Sequence, residues 1–160
     1  MTSKRTAGLL AAALASLPLG CGGVGKVSGR VTYGGKPVPI GIIIFHPERG
    51  RAVAEEIEDG VYRAGKVPVG TVRVTVSTAF HRREYEAMKR LREEERKGVK
   101  RKPHPMKQPN TEGRERAEKE WPLLKAMIDI PEKYADPKTS GLSFTIHPGS
   151  QELDIEIPKE

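Results

Sequence analysis

The 160-residue chain holds one cysteine, Cys21. With no second thiol an intramolecular disulfide is excluded, and the fold has to stand on its apolar core. Aromatic residues make up only 5%, with a single tryptophan, Trp121. Few rings are therefore offered for stacking on sugars or bases. No apolar run approaches the roughly 20 residues that a bilayer span needs. Gly-x-Ser-x-Gly is absent, as is any glycine-rich phosphate loop, so neither acyl nor phosphoryl transfer has a motif to rest on. The histidines are His46, His81, His104 and His147. None pairs with another at a spacing that metal ligands use. The expectation is no catalytic residue, no metal and no cofactor.

What is present begins with a cationic start, Lys4 and Arg5, followed by the almost wholly apolar Ala7–Leu17. That length and order suit the core of a secretory signal. It leads into Leu17-Pro18-Leu19-Gly20-Cys21, which resembles a bacterial lipobox, with Pro18 standing where leucine is usual. The resemblance implies that residues 1–20 are removed and that Cys21 takes a diacylglyceryl group. Each buried methylene then contributes about 0.8 kcal/mol, and two chains anchor firmly where one does not. The expected location is exported and lipid-anchored to a bacterial cell membrane, at the outer membrane or a periplasmic face. Residues 21–25 form the tether, with Gly22-Gly23-Val24-Gly25 as a leash of at most about 15 Å.

From residue 26 to 160 the pattern is that of short strands. Val27, Val31 and Tyr33 share one parity ahead of Gly34-Gly35, a hairpin signal. Ile40-Gly41-Ile42-Ile43-Ile44-Phe45 is continuously apolar and suits a strand buried on both faces. Residues 52–58 and 61–67 flank Asp59-Gly60. Val72, Val74 and Val76 alternate with Arg73, Thr75 and Ser77; Leu142, Phe144 and Ile146 with Ser143, Thr145 and His147; and Leu153, Ile155 and Ile157 with Asp154 and Glu156. About seven short strands separated by turns predict a mainly β, antiparallel Greek-key sandwich.

Charge divides the chain. Residues 81–120 hold fourteen basic and nine acidic side chains, a net of +5, whereas residues 121–160 are net −3. The basicity thus belongs to an insert, residues 81–127, between two strands. Arg82 to Lys97 is rich in helix formers, with Tyr85, Met88 and Leu91 at intervals of three and Glu86–Arg90 and Glu93–Lys97 as i,i+4 pairs. Gly98 ends this helix, and a second one spans Thr111 to about Glu120, before Pro122. The insert is expected to project from one end or edge of the sandwich. Lys97, Lys100, Arg101 and Lys102 form a candidate contact for an anionic surface, at about 1 kcal/mol per charge near a membrane. Nucleic acid is not the expected partner of an exported chain.

Gly29-Arg30-Val31-Thr32-Tyr33-Gly34-Gly35-Lys36-Pro37-Val38, Asp59-Gly60-Val61-Tyr62 and Pro68-Val69-Gly70-Thr71-Val72-Arg73-Val74 occur in that order. Together they resemble the carboxypeptidase regulatory-like domain, a prealbumin-like (transthyretin-like) β sandwich. Ile130-Pro131-Glu132-Lys133-Tyr134 and Thr139-Ser140-Gly141-Leu142 resemble small lipoproteins of planctomycete bacteria. The resemblance brings no catalytic residues, and Ile155-Glu156-Ile157-Pro158-Lys159-Glu160 differs from the Tyr-Arg-Gly-Ser tail of the transthyretin-type hydrolase.

Two functions follow as expectations. The first is a non-enzymatic, lipid-anchored envelope protein, structural or adaptor-like, contacting envelope proteins or acidic cell-wall polymer. The second is an accessory module that binds a glycan or a cation for a separate enzyme. Trp121 is its candidate stacking residue, and Tyr134 the other ring that is free by pattern.

Overall fold

The computed structural model describes residues 23–98 and 111–159, the side chains of 111–114 and 116–118 excepted. The protein is mainly β. Nine strands, β1 (Val24–Tyr33), β2 (Lys36–Pro37), β3 (Ile40–Pro47), β4 (Val53–Glu58), β5 (Val61–Pro68), β6 (Gly70–Ser77), β7 (Leu142–Ile146), β8 (Gly149–Glu152) and β9 (Ile155–Ile157), form one curled sheet. Two helices, α1 (Ala79–Arg96) and α2 (Thr111–Lys125), fall between β6 and β7.

The strand order is β2-β1-β5-β4-β3-β6-β7, with β8 and β9 on the other side of β1. β4 and β5 pair only at Glu58 and Val61, beside their turn, so the sheet bends there. The two halves then share one interior: Val27, Val31, Tyr62, Val67, Ile155 and Ile157 from one, Ile43, Phe45, Ile57, Val72, Val74, Val76 and Ile146 from the other. Phe45 meets Tyr62 across it at 5.7 Å between ring centroids. Each fully buried Val, Ile or Phe contributes about 1.5–3 kcal/mol, which is what a disulfide-free fold requires.

The turns follow their residue types. Gly34 and Gly35, at φ 56° and 77°, close the hairpin that pairs Tyr33 with Lys36. Asp59 and Gly60, at φ 51° and 77°, close the next. Both lie in the left-handed region that two-residue hairpin loops demand. Gly29 answers a different need. A Cβ there would stand 2.0 Å from the Leu153 carbonyl oxygen, so only glycine lets the last part of the chain lie against β1.

That last part differs from the expectation. β8 and β9 run parallel to β1, Gly25–Ser28 pairing with Gly149–Glu152 and Val31–Tyr33 with Ile155–Ile157. β8 begins at Gly149, directly after Pro148, and the ladder is interrupted at Leu153-Asp154. There the Asp154 carboxylate accepts the Arg30 N–H at 2.7 Å, and the Leu153 carbonyl accepts the Tyr62 hydroxyl at 2.6 Å. Side chains thus pair the groups that the broken ladder leaves. Burial, with the Asp154 carboxylate adding to it, pushes the Tyr62 phenol well above its ordinary value.

β1 also begins earlier than the tether expected at residues 21–25 allows. Val24 pairs with Pro68 and Gly25 with Val67, so both belong to the strand. β3 shows a second difference, because its apolar run is not buried equally on both faces. Ile43 and Phe45 are fully buried in the core, while Ile42 and Ile44 are half-buried on the outer face.

Candidate functional site: the helical arm and its root

α1 starts straight after Thr78, at the end of β6 that adjoins the beginning of β3. Several polar groups are buried around this root. Thr75, Thr78 and His81 are each 2% exposed. Thr75 has the outward parity expected for it, yet it is covered, and its hydroxyl pairs with His46 Nε2 at 3.0 Å. His46 is therefore committed to the sheet. Arg82 on α1 forms an ion pair with Asp129, beyond α2, so the two ends of the arm are tied at its base.

The segment after α2 then re-enters the core. Ile130 and Tyr134 belong to the apolar cluster, Tyr134 on the 3-10 turn Glu132–Ala135 beneath β6. Tyr134 is 3% exposed and offers no ring to a ligand, against the expectation from pattern. Its position after a helix and before a strand conceals that role, because nothing periodic marks it.

The helices clasp each other through Trp121. The Tyr85 ring lies 5.3 Å from it at 33°, and the Arg92 guanidinium stands 3.8 Å from its centroid. Such ring and cation contacts contribute about 0.5–1.5 kcal/mol each. Both partners are on α1, seven residues apart, which returns to within about 20° on a helix of 3.6 residues per turn. The interval of three points to Leu91 instead, which rotates about 120° away from Tyr85; Leu91 is 40% exposed. Arg92 was concealed because a cation carries no apolar signature. Trp121, the candidate for ligand stacking, is thus engaged between two side chains of its own arm.

α2 continues through Pro122 to Lys125, past the stop expected at Glu120. Proline removes one N–H and crowds the preceding turn, a cost of about 3 kcal/mol. Trp121 on one side and the fully buried Leu124 on the other hold the helix across it. Lys119 reaches Glu58 at the end of β4, Nζ to Oε2 3.6 Å, so the arm is seated across this end of the sheet and does not simply project.

At the tip of α1, Lys97 lies 3.2 Å from Glu93, the i,i+4 pair that the spacing predicts, and Arg96 lies 3.1 Å from the same carboxylate. Arg90 donates to the Glu86 carbonyl oxygen at 3.2 Å. The Lys97 side chain is 64% exposed, and Gly98 follows at φ 69°, ending the helix as expected. Lys100, Arg101, Lys102 and His104 lie outside the described residues, as do Cys21 and the leader.

Two hollows flank the arm. One of about 310 Å³ at the root is lined by Ser77, Thr78, Arg82, Ile130 and Glu132, with Arg82 already held by Asp129. The other, about 410 Å³, runs along Glu55, Glu56, Glu58 and Asp59 with Arg63. Among the described residues no group of three His, Cys, Asp or Glu is placed to hold a metal ion, and no helix is long and apolar enough to cross a membrane. Comparison with the known protein families, with curated proteins and with solved structures finds nothing that matches this chain.

Proposed function

We propose that this is an exported, lipid-anchored and non-enzymatic module of the bacterial envelope, held by Cys21 and acting through its helical arm on acidic wall polymer or an envelope protein. The observation that carries the arm's role is its construction. The described part of the basic excursion is clasped by Trp121, Tyr85 and Arg92 and rooted by Arg82–Asp129, which holds the cations of α1 on a fixed support. Solvated charge alone needs no such clasp. The anchor rests on the lipobox-like Leu17–Cys21 and on the solitary thiol.

The finer fold we propose is the prealbumin-like Greek-key sandwich. It is supported by the order β5-β4-β3-β6, in which three hairpin-connected strands are followed by a fourth lying beside the first. The bend at Glu58–Val61 supports the division into two faces. The parallel β8 and β9 are an addition to that plan.

Fractionation of cells producing Cys21→Ser tests the anchor. The wild-type chain is expected in the membrane fraction with an acylated N-terminal cysteine by mass spectrometry, and the variant in the soluble exported fraction. Retention of the variant, or an unmodified thiol in the wild type, overturns the proposal.

A further inference from the structure

Among the described residues the large apolar side chains that stand in solvent are Val24, Val69, Phe80 and Leu91. Val24 and Val69 stand at the same end of the sheet. The Val69 N–H donates to the Gly23 carbonyl at 2.9 Å, Val24 pairs with Pro68, and Gly50 packs against Pro68, where a Cβ would lie 3.5 Å from its Cγ. Val24 is 52% and Val69 37% exposed. By their register they stand on opposite faces at this end of the sheet, and exposed cations lie beside them: Arg49 and Arg51 on either side of Gly50, and Lys66 in the bulge of β5 that opposes Lys26, with Glu48 the acid nearest in the chain. Apolar tips within a cationic rim match the composition of a headgroup layer, acyl boundary below and phosphate around it.

Position makes the match specific. Gly23 is two residues from Cys21, a reach of at most about 7 Å. The arm leaves from the far end of β6, which runs from Gly70 next to Val69 to Ser77 at the root of α1. Its eight residues span about 26 Å, beyond the roughly 8–10 Å over which exposed charges act in physiological salt. Trp121 is held against Tyr85, only about 9 Å of helix from that root. Lys119 meets Glu58, which pairs with Ile40 at the same end.

We propose that the end of the sheet bearing Val24 and Val69, and not the helical arm, is the surface that lies on the lipid headgroups beneath the tether, so that the arm is turned away from the bilayer. This rests on the lipid-anchor reading and names the face that the anchor brings to the membrane.

The test supplies the tether chemically. The chain from Cys21 onward is coupled through its single thiol to a maleimide lipid in phosphatidylcholine–phosphatidylglycerol vesicles with brominated acyl chains, which quench tryptophan only at close approach. The native Trp121 reports the arm; Val69→Trp in a Trp121→Phe background reports the opposite end, with Val24→Trp as a second reporter should the first fold poorly. Quenching with a blue shift at residue 69 or 24, and unchanged emission at Trp121, is the expected result. Quenching of Trp121 with residues 69 and 24 untouched overturns the proposal in favour of the arm. No quenching at any of the three overturns it too, because the domain then stands clear of the lipid. Since the coupling does not depend on acylation in cells, this outcome is separate from that of the Cys21→Ser fractionation.

Discussion

The sheet and the arm are held together in opposite ways. In the sheet the interior is dry and shared, with Val, Ile, Phe45 and Tyr62 from both halves of the curl touching one another, so no single strand is autonomous. Among the described residues of the arm the contacts are discrete: Trp121 with Tyr85 and Arg92, a buried Leu124, an ion pair at the base and Lys119 against Glu58. A region with few buried apolar contacts opens at lower cost than one with many. The described part of a highly charged insert can thus be held by a handful of anchors.

The largest effect is expected from Gly29→Ala. Its Cβ would collide with the Leu153 backbone, and backbone cannot step aside without undoing the β1–β8–β9 ladder. A loss of about 3 kcal/mol is expected, the upper part of the usual range for overpacking. Urea unfolding followed by circular dichroism measures it, and an unchanged midpoint would show that the final strands are dispensable to the sheet.

Trp121→Ala is expected to cost the arm about 1–3 kcal/mol, the sum of a ring pair and a cation–ring contact, while the sheet keeps its stability. Amide hydrogen exchange separates the two. Faster exchange confined to α1 and α2 sharpens the contrast between regions; an equal loss of protection in β3 and β6 would break it, making arm and sheet one cooperative unit.

Tyr62→Phe is the mildest at neutral pH, about 1 kcal/mol for one hydrogen bond to the Leu153 carbonyl. Its signature lies in alkali. The phenol is raised in the folded state by burial and by Asp154, so the folded protein holds a proton that the unfolded chain releases near pH 10. The stability it contributes is complete below that value and falls as pH rises above it. The variant is expected to lose this alkaline decline. An identical slope for the two proteins above about pH 10 would remove Tyr62 from the account.

How much could be read before folding differs element by element. Val72, Val74 and Val76 are buried as their alternation predicts, because the backbone pleat alone sends them to one side. Thr75 has the parity expected of an outward residue but is buried, since what covers an outer face depends on where a distant element lands. Leu91 carries the apolar character while Arg92 does the packing, because a guanidinium plane on an indole is invisible to a hydrophobicity pattern. Pro122 reads locally as a stop, but the anchors on either side outweigh the local penalty. The edge of β1 that the last residues join is likewise absent from their alternation, which is the same for parallel and antiparallel pairing.

Period and turn chemistry, properties of neighbouring residues, were sufficient to determine a mainly β chain, its hairpins at Gly34-Gly35 and Asp59-Gly60, its inward valines and isoleucines, and a charged helical interruption. The tertiary structure alone decided that β8 and β9 lie parallel to β1, that Trp121 faces its own arm, and that Val24 and Val69 come to one end of the sheet, opposite the root of α1. Those outcomes turn on contacts between residues far apart in the chain, whose free energy exists only once the sheet has curled and brought them within reach.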